Sequence, residues 1–154
     1  MNLMSIANRT VVVAVPDTSV QTAAQLMREH HVGALVVMSS DSDDALPIGM
    51  LTDRDLVVEV LAQDVDPDLV TVGDITMDRL VTAQMEDGVF EAVALMSQEG
   101  VRRLVVVDDQ GAMQGVVSMD DVLVSLAQAM TMLAKTVPTE IHAERRERPT
   151  QGGL

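Results

Sequence analysis

Cysteine, tryptophan and tyrosine are absent from this 154-residue chain, and phenylalanine occurs once, at Phe90. Without cysteine there are no disulfides, no thiol catalysis and no Cys-based metal site, and the redox compartment stays open. Without aromatic rings the usual platforms for stacking single-stranded nucleic acid are missing. Apolar runs such as residues 11–15 are far too short to span a bilayer. Residues 1–10 lack the charged start, apolar run and small-residue cleavage site of a signal peptide. Positive charge is scarce as well: 10 Lys and Arg stand against 24 Asp and Glu, a net charge of −14. Such a chain repels a phosphate backbone at long range. The expectation is a cytoplasmic protein that binds neither nucleic acid nor membrane. The acidity is read first as keeping a Val-rich chain in solution, and adaptation to high salt also fits it.

What is present is an aliphatic core. Hydrophobic residues make up 47% of the chain, and the 12 methionines fall largely at apolar positions such as Met27, Met50 and Met96. They read as flexible core filler. At this length one ordinary domain with a full core is affordable, whereas half of it would be marginal alone.

The most informative pattern is a repeat. Gly49-Met50-Leu51-Thr52-Asp53-Arg54-Asp55 returns 66 residues later as Gly115-Val116-Val117-Ser118-Met119-Asp120-Asp121. Upstream, Leu26-Met27 and Leu35-Val36-Val37 match Leu95-Met96 and Leu104-Val105-Val106 at an offset of 69. The first copy carries three more residues in its loop, Ser39 to Pro47, which absorbs the change in offset. Two units that are each marginal imply a shared core.

Within the first unit, residues 11–15 predict a buried β-branched strand ended by Pro16-Asp17. Thr18-Ser19-Val20-Gln21 has the form of a capping box opening a helix to about His30, with Gly33 breaking it. Strands follow over residues 34–38 and 48–51, and Thr52 caps a helix to about Leu61. The second unit repeats the order: a strand over 80–83, Asp87 in the capping place of Thr18, a helix over 89–99, strands over 104–107 and 115–117. Asp108-Asp109-Gln110-Gly111 is a tight turn between those strands. Ser118 caps a last helix to about Lys135. Residues 72–75 predict a short linking helix. From Pro138 the chain is charged and poor in apolar residues, and reads as a disordered or partner-dependent tail.

The order strand–helix–strand–strand–helix, closed by Gly-x-x-(Thr/Ser)-x-x-Asp, resembles the CBS (cystathionine-β-synthase-type) domain, here as a tandem pair or Bateman module over residues 3 to 130. Val15-Pro16-Asp17-Thr18-Ser19-Val20, His30-His31-Val32-Gly33-Ala34-Leu35-Val36-Val37 and Gly100-Val101-Arg102-Arg103-Leu104-Val105-Val106-Val107 support the likeness. The resemblance implies an α/β (α+β) fold of two βαββα units packed through their sheets with pseudo-twofold symmetry. Residues 3–66 form the first unit, 67–79 a linker helix, 80–135 the second, and 138–154 the tail. It also implies two clefts, which in many members bind adenine nucleotides, and assembly of such pairs into a disc-shaped dimer.

Residue chemistry is compatible with that ligand class. Helix N-termini offer unpaired N–H groups and a partial positive charge to phosphate. Thr52 and Ser118 stand at two such ends. Asp55 and Asp121, one turn on, are acceptor-only and suit ribose hydroxyls. Arg54, Arg102 and Arg103 can supply charge for a phosphate. By the resemblance, adenine lies near Val12, Val13, Gly33, Ala34, Val81, Thr82 and Val101. The copies differ: the first has Gly33-Ala34 where the second has Arg102-Arg103, and Arg54 where the second has Asp120. Asp120 opposes a bare phosphate unless Mg²⁺ intervenes.

The same residues have plainer roles. Thr52-x-x-Asp55 and Ser118-x-x-Asp121 are near-capping boxes that stabilise a first turn on their own, and Arg102-Arg103 reads equally as solvated surface. His30-His31 reads as a helix end with favourable dipole interactions rather than a metal site. Asp41-Ser42-Asp43-Asp44 lacks the Gly and bidentate Glu of a calcium loop. No Ser-His-Asp constellation, Cys or P-loop argues for an enzyme. Two functions follow as expectations: a homodimeric regulatory module sensing AMP, ADP, ATP or a related adenosine compound for a separate partner protein, or a ligand-free structural and oligomerisation module.

Overall fold

The structure, a computed structural model, describes residues 1–76 and 80–147, with side chains through residue 136. Two three-stranded sheets carry the fold, ordered β1-β2-β3 and β4-β5-β6. The first comprises β1 (Val13–Ala14), β2 (Ala34–Met38) and β3 (Pro47–Thr52), the second β4 (Thr82–Gln84), β5 (Arg103–Val107) and β6 (Met113–Ser118). In each sheet the first strand runs parallel to the central one and the third antiparallel, with a register shift near the end of the central strand. The repeat in the sequence is therefore a repeat in topology.

Both central strands are apolar, apart from Arg103 at the start of β5, because both of their faces are covered. Side chains alternate between faces. Leu35 and Val37 enter the first unit's core with Ala23, Met27 and Leu51. Leu104 and Val106 do the same in the second with Ala92, Met96 and Val117. The opposite faces meet: Val36, Val105 and Val107 form one buried cluster with Val11, Met50 and Val116 packed against it. That shared layer joins two units that are each too small to bury enough surface alone.

Helices close the outer faces. α1 (Val20–His30) and α4 (Val89–Glu99) end on left-handed residues, His31 at φ 54° and Gly100 at φ 66°. His31, rather than Gly33, thus terminates α1, with its N–H donated to Met27 O. The expected Thr18–Gln21 capping box is also displaced by one residue. Ser19 caps α1, its Oγ accepting from Thr22 N at 3.1 Å. Thr18 Oγ1 instead accepts from Val15 N at 3.2 Å and closes the turn after β1. Asp87 does the same for Gln84 N at 2.8 Å. The two residues are equivalent, as their positions predict, but they serve the turn and leave the helix to its neighbour.

Strand β1 is shorter than its apolar run: Val11 and Val12 precede its first paired residue, and the Thr18 turn closes on Val15 at its end. The segment after β3 begins as α2 (Asp53–Asp55) and widens at once into a π-helical stretch over Leu56–Leu61, with Ala62 N bonded to Val57 O. An apolar 3.6-residue pattern does not distinguish that widening from an ordinary helix. α3 (Val72–Ile75) is the expected linking helix. α5 (Met119–Glu147) continues through Pro138, past the predicted end near Lys135. The residues beyond, Glu140, Ala143, Glu144, Arg145, Arg146 and Glu147, are good helix formers. Residues 77–79 of the predicted linker and 148–154 of the predicted tail lie outside the described residues.

One feature has no counterpart in the sequence pattern. The 3-10 turn Leu3–Ser5 does not pack on the unit it begins. Leu3 is buried in the second unit's core beside Ala83, Val89 and Leu104. Val72, its equivalent at an offset of 69, is buried in the first unit's core beside Ala14, Ala23 and Leu35. Backbone bonds mirror this: Val72 N donates to Thr18 O and Gly73 N to Pro16 O, while Leu3 N donates to Asp87 O and Met4 N to Met85 O. Each repeat lends its leading turn to the other.

Candidate functional site

The exchanged segments bring the ends of the two units together. Asn8 pairs with Val116 through two backbone bonds, of 2.9 and 3.0 Å. The chain then runs through Thr10 and Val11 into β1. Between this segment, the N-terminal end of β2 and the start of α5 lies a cavity of about 230 Å³. Its apolar wall comes from Val12, Ala34, Val36 and Met50, with Gly33 at the edge, and Arg103, Ser118, Asp120 and Asp121 bring its charge and hydroxyl from the second unit.

Ser118 ends β6 and caps α5. Asp121 Oδ2 accepts from Ser118 N at 2.8 Å and from Ser118 Oγ, while Asp121 N donates to Ser118 Oγ at 3.2 Å. The capping box read from the sequence is therefore formed. It occupies one carboxylate oxygen; Asp121 Oδ1 has no hydrogen-bond partner among the described residues. Met119 N is committed to Arg102 O at 2.8 Å, which leaves Asp120 N–H as the free donor in the first turn. Arg102 pairs with Asp120 at 3.9 Å, both well exposed. Arg103 is half-buried and has neither ion pair nor hydrogen bond among the described residues.

Of the residues singled out in the sequence, Val12, Gly33, Ala34, Arg103, Ser118 and Asp121 thus meet in one cavity. Thr52 and Asp55 form the equivalent box at the start of α2: Thr52 N donates to Asp55 Oδ2 at 2.8 Å and Asp55 N to Thr52 Oγ1 at 3.2 Å. They do not line this cavity, nor do Arg54, Arg102, Val81, Thr82 or Val101. Val81 and Val101 pack against the second unit's core, and Thr82 is exposed on β4. Val13 faces a separate cavity of about 370 Å³ beside Leu26 and Met38. His30 and His31 are exposed, and the described residues contain no group of three or more His, Cys, Asp or Glu placed to hold a metal ion. No described helix is long and apolar enough to cross a membrane.

Sequence reasoning missed Asn8, Thr10, Met50 and Val116 as lining residues. It also missed Asp53, whose N–H donates to Gly33 O at 3.0 Å and whose Oδ2 would lie 3.0 Å from a Cβ placed on Gly33. Its position next to Thr52 was the only available signal.

Comparison with known proteins agrees with this architecture. The model of the CBS domain matches residues 3–62 and 72–128. An uncharacterized protein of Methanopyrus kandleri is 37% identical over 136 residues, 88% of this chain and 66% of the relative. The solved structure of Hypoxic Response Protein I with two coordinated zinc ions superposes with a TM-score of 0.68 at 31% identity, over 80% of this chain and 97% of that one. A CBS-domain protein of Pyrobaculum aerophilum, solved in complex with AMP, has a TM-score of 0.72 at 24% identity over 83% of this chain and 99% of its own, a likeness of fold. This chain spans about two thirds of the length of the first curated relatives it matches. With both units matched and the two sheets related by the same repeat, the chain belongs to the CBS-domain family and carries a tandem pair of these domains.

Proposed function

We propose that this CBS pair is a regulatory module that binds an adenosine compound in the cavity at the start of α5 and transmits its occupancy to a separate protein. The observation that carries this reading is the joining, from two units, of an apolar wall at Val12, Gly33 and Ala34 with the polar group Ser118, Asp121 and Arg103. In this reading the base lies on the apolar wall of Val12, Ala34, Val36 and Met50. Asp121 Oδ1 accepts from a ribose hydroxyl, which the cap leaves it free to do. Arg103 meets a phosphate. A ligand in this position touches both units, so it favours whichever relative packing it fits better. The fold is one that the Pyrobaculum protein forms in a complex with AMP. Mg²⁺, if bound, would be held in part by Asp120 and would offset the charge of a phosphate there.

The module is proposed to act as a homodimer. Val57 and Val58 on the π-helical stretch are 53% and 40% exposed, and Leu123 and Val124 on α5 are 57% and 58% exposed. These pairs are equivalent at an offset of 66, and contiguous exposed apolar surface marks contact sites.

Thermal unfolding against AMP, ADP, ATP and S-adenosylmethionine, with and without Mg²⁺, tests the sensor. A ligand at 100 times its Kd stabilises by about 2.7 kcal/mol, and the gain should vanish in Asp121→Ala. A flat panel favours the second reading, a ligand-free oligomerisation module. The observation behind that alternative is that both Asp55 and Asp121 already cap their helices.

A further inference from the structure

The charges at the mouth of the cavity are unevenly matched. Arg103 Nη2 would lie 3.7 Å from a Cβ on Gly33, and Asp53 Oδ2 would lie 3.0 Å from the same point. Asp53 and Arg103 thus both stand beside Gly33 at the edge of the cavity, although Asp53 belongs to α2 of the other unit. Asp120 and Asp121 line the cavity directly. Arg102 is drawn off to Asp120 at 3.9 Å. Three carboxylates therefore face two guanidinium groups, only one of them unpaired. The position equivalent to Asp53 in the second unit is Met119, which carries no charge, so this device exists at one cleft only.

Volume sharpens the consequence. About 230 Å³ lies below the roughly 300–1,000 Å³ of ordinary ligand pockets. The cavity suits a base and sugar, leaving whatever is attached at the 5′ position at the mouth among Asp53, Arg103 and Asp120. One guanidinium can answer one phosphate. Each further phosphate adds negative charge near Asp53 and Asp120, and Arg103 is the only cation among the described residues that line the cavity.

Resting on the adenosine reading above, we infer that the cleft discriminates by charge at the 5′ position: it accepts an adenosine compound bearing one phosphate and rejects the triphosphate, with Asp53 as a specificity-determining residue. The carboxylate acts on the ligand through space. Its backbone bond to Gly33 O and the bond from Arg54 N to its Oδ1 at 2.8 Å hold it in place. Asn keeps the side-chain carbonyl for that second bond while removing the charge.

The test is titration calorimetry of the full chain with adenosine, AMP and ATP in the absence of divalent cations, repeated for Asp53→Asn and Asp53→Glu. AMP should bind at least about tenfold more tightly than ATP. That preference should fall about fivefold in Asp53→Asn, the effect expected of one unit charge several ångströms away in partly screened surroundings. In Asp53→Glu it should persist. ATP binding as tightly as AMP, or an unchanged preference in Asp53→Asn, overturns the inference and leaves the adenosine reading standing. If neither adenosine nor either nucleotide binds, the adenosine reading itself fails, and this inference with it.

Discussion

Leu3 and Val72 occupy the same place in the two repeats, both fully buried, and each sits in the hydrophobic core of the opposite unit. The exchange ties the first residues of the chain to the stability of its second half. Truncating Leu3 to Ala should cost about 2–5 kcal/mol, the usual range for a buried Leu, read as a shift in urea midpoint. A cost below about 1 kcal/mol would mean that the leading turn is not seated in that core.

The exchange also crowds two glycines. A Cβ on Gly115 would meet Asn8 O at 2.8 Å, and one on Gly49 would meet Thr76 O at 3.2 Å. Both obstacles are backbone and cannot swing away. Gly115→Ala should therefore destabilise by about 1–3 kcal/mol, and Gly49→Ala by less. The reverse order in thermal or urea unfolding would contradict the closer approach at Gly115.

Asp55 and Asp121 make the same cap but stand in different surroundings. Both Ala variants should lose roughly 0.5–2 kcal/mol of stability. Only Asp121→Ala should also abolish the response to an adenosine ligand, since Asp121 lines the cavity and Asp55 does not. Equal loss of response in both would mean that each cleft binds.

Charge placed on the exposed apolar pairs should block self-association. Val58→Glu and Leu123→Glu should each shift the protein toward monomer in sedimentation velocity. Unchanged sedimentation of both would place any dimer contact elsewhere.

Asp74 offers a pH test of the linking helix. The Thr71 backbone N–H, donated to its Oδ2 at 2.9 Å, and then the Thr71 side chain lower its carboxyl below the ordinary value of 3.8. A depressed folded pKa means stability present above the unfolded pKa and lost as pH falls through the folded one. Asp74→Asn should thus be less stable than the parent near neutrality, and the gap should close as the pH drops below the ordinary carboxylate range. A gap that stays constant into acid would assign the loss to something other than the charge.

Much of the fold is legible without coordinates. The apolar runs of β2 and β5, the offset of 66 to 69 and the Thr52 and Ser118 caps all follow from local periodicity and hydrogen-bonding chemistry. Local reasoning fails where two local partners compete. Thr18 and Asp87 look like helix caps but close turns, and His31 ends α1 two residues before the glycine that seemed suited to it. The candidate site is legible only in part: Ser118 and Asp121 are named by their motif, whereas Asn8, Thr10 and Asp53 carry no such mark.

The sequence by itself determined that the chain is a duplicated strand–helix–strand–strand–helix unit with an aliphatic core, because side-chain period and capping are properties of a few neighbouring residues. Only the tertiary structure decided that Leu3 and Val72 change places, and that Gly33 of one unit faces Arg103 and Asp121 of the other. Leu3 and Gly33 there meet residues 70 or more positions along the chain, and Val72 reaches back as far as Ala14. Those contacts arise from burying surface that neither unit can cover alone, which no local pattern encodes.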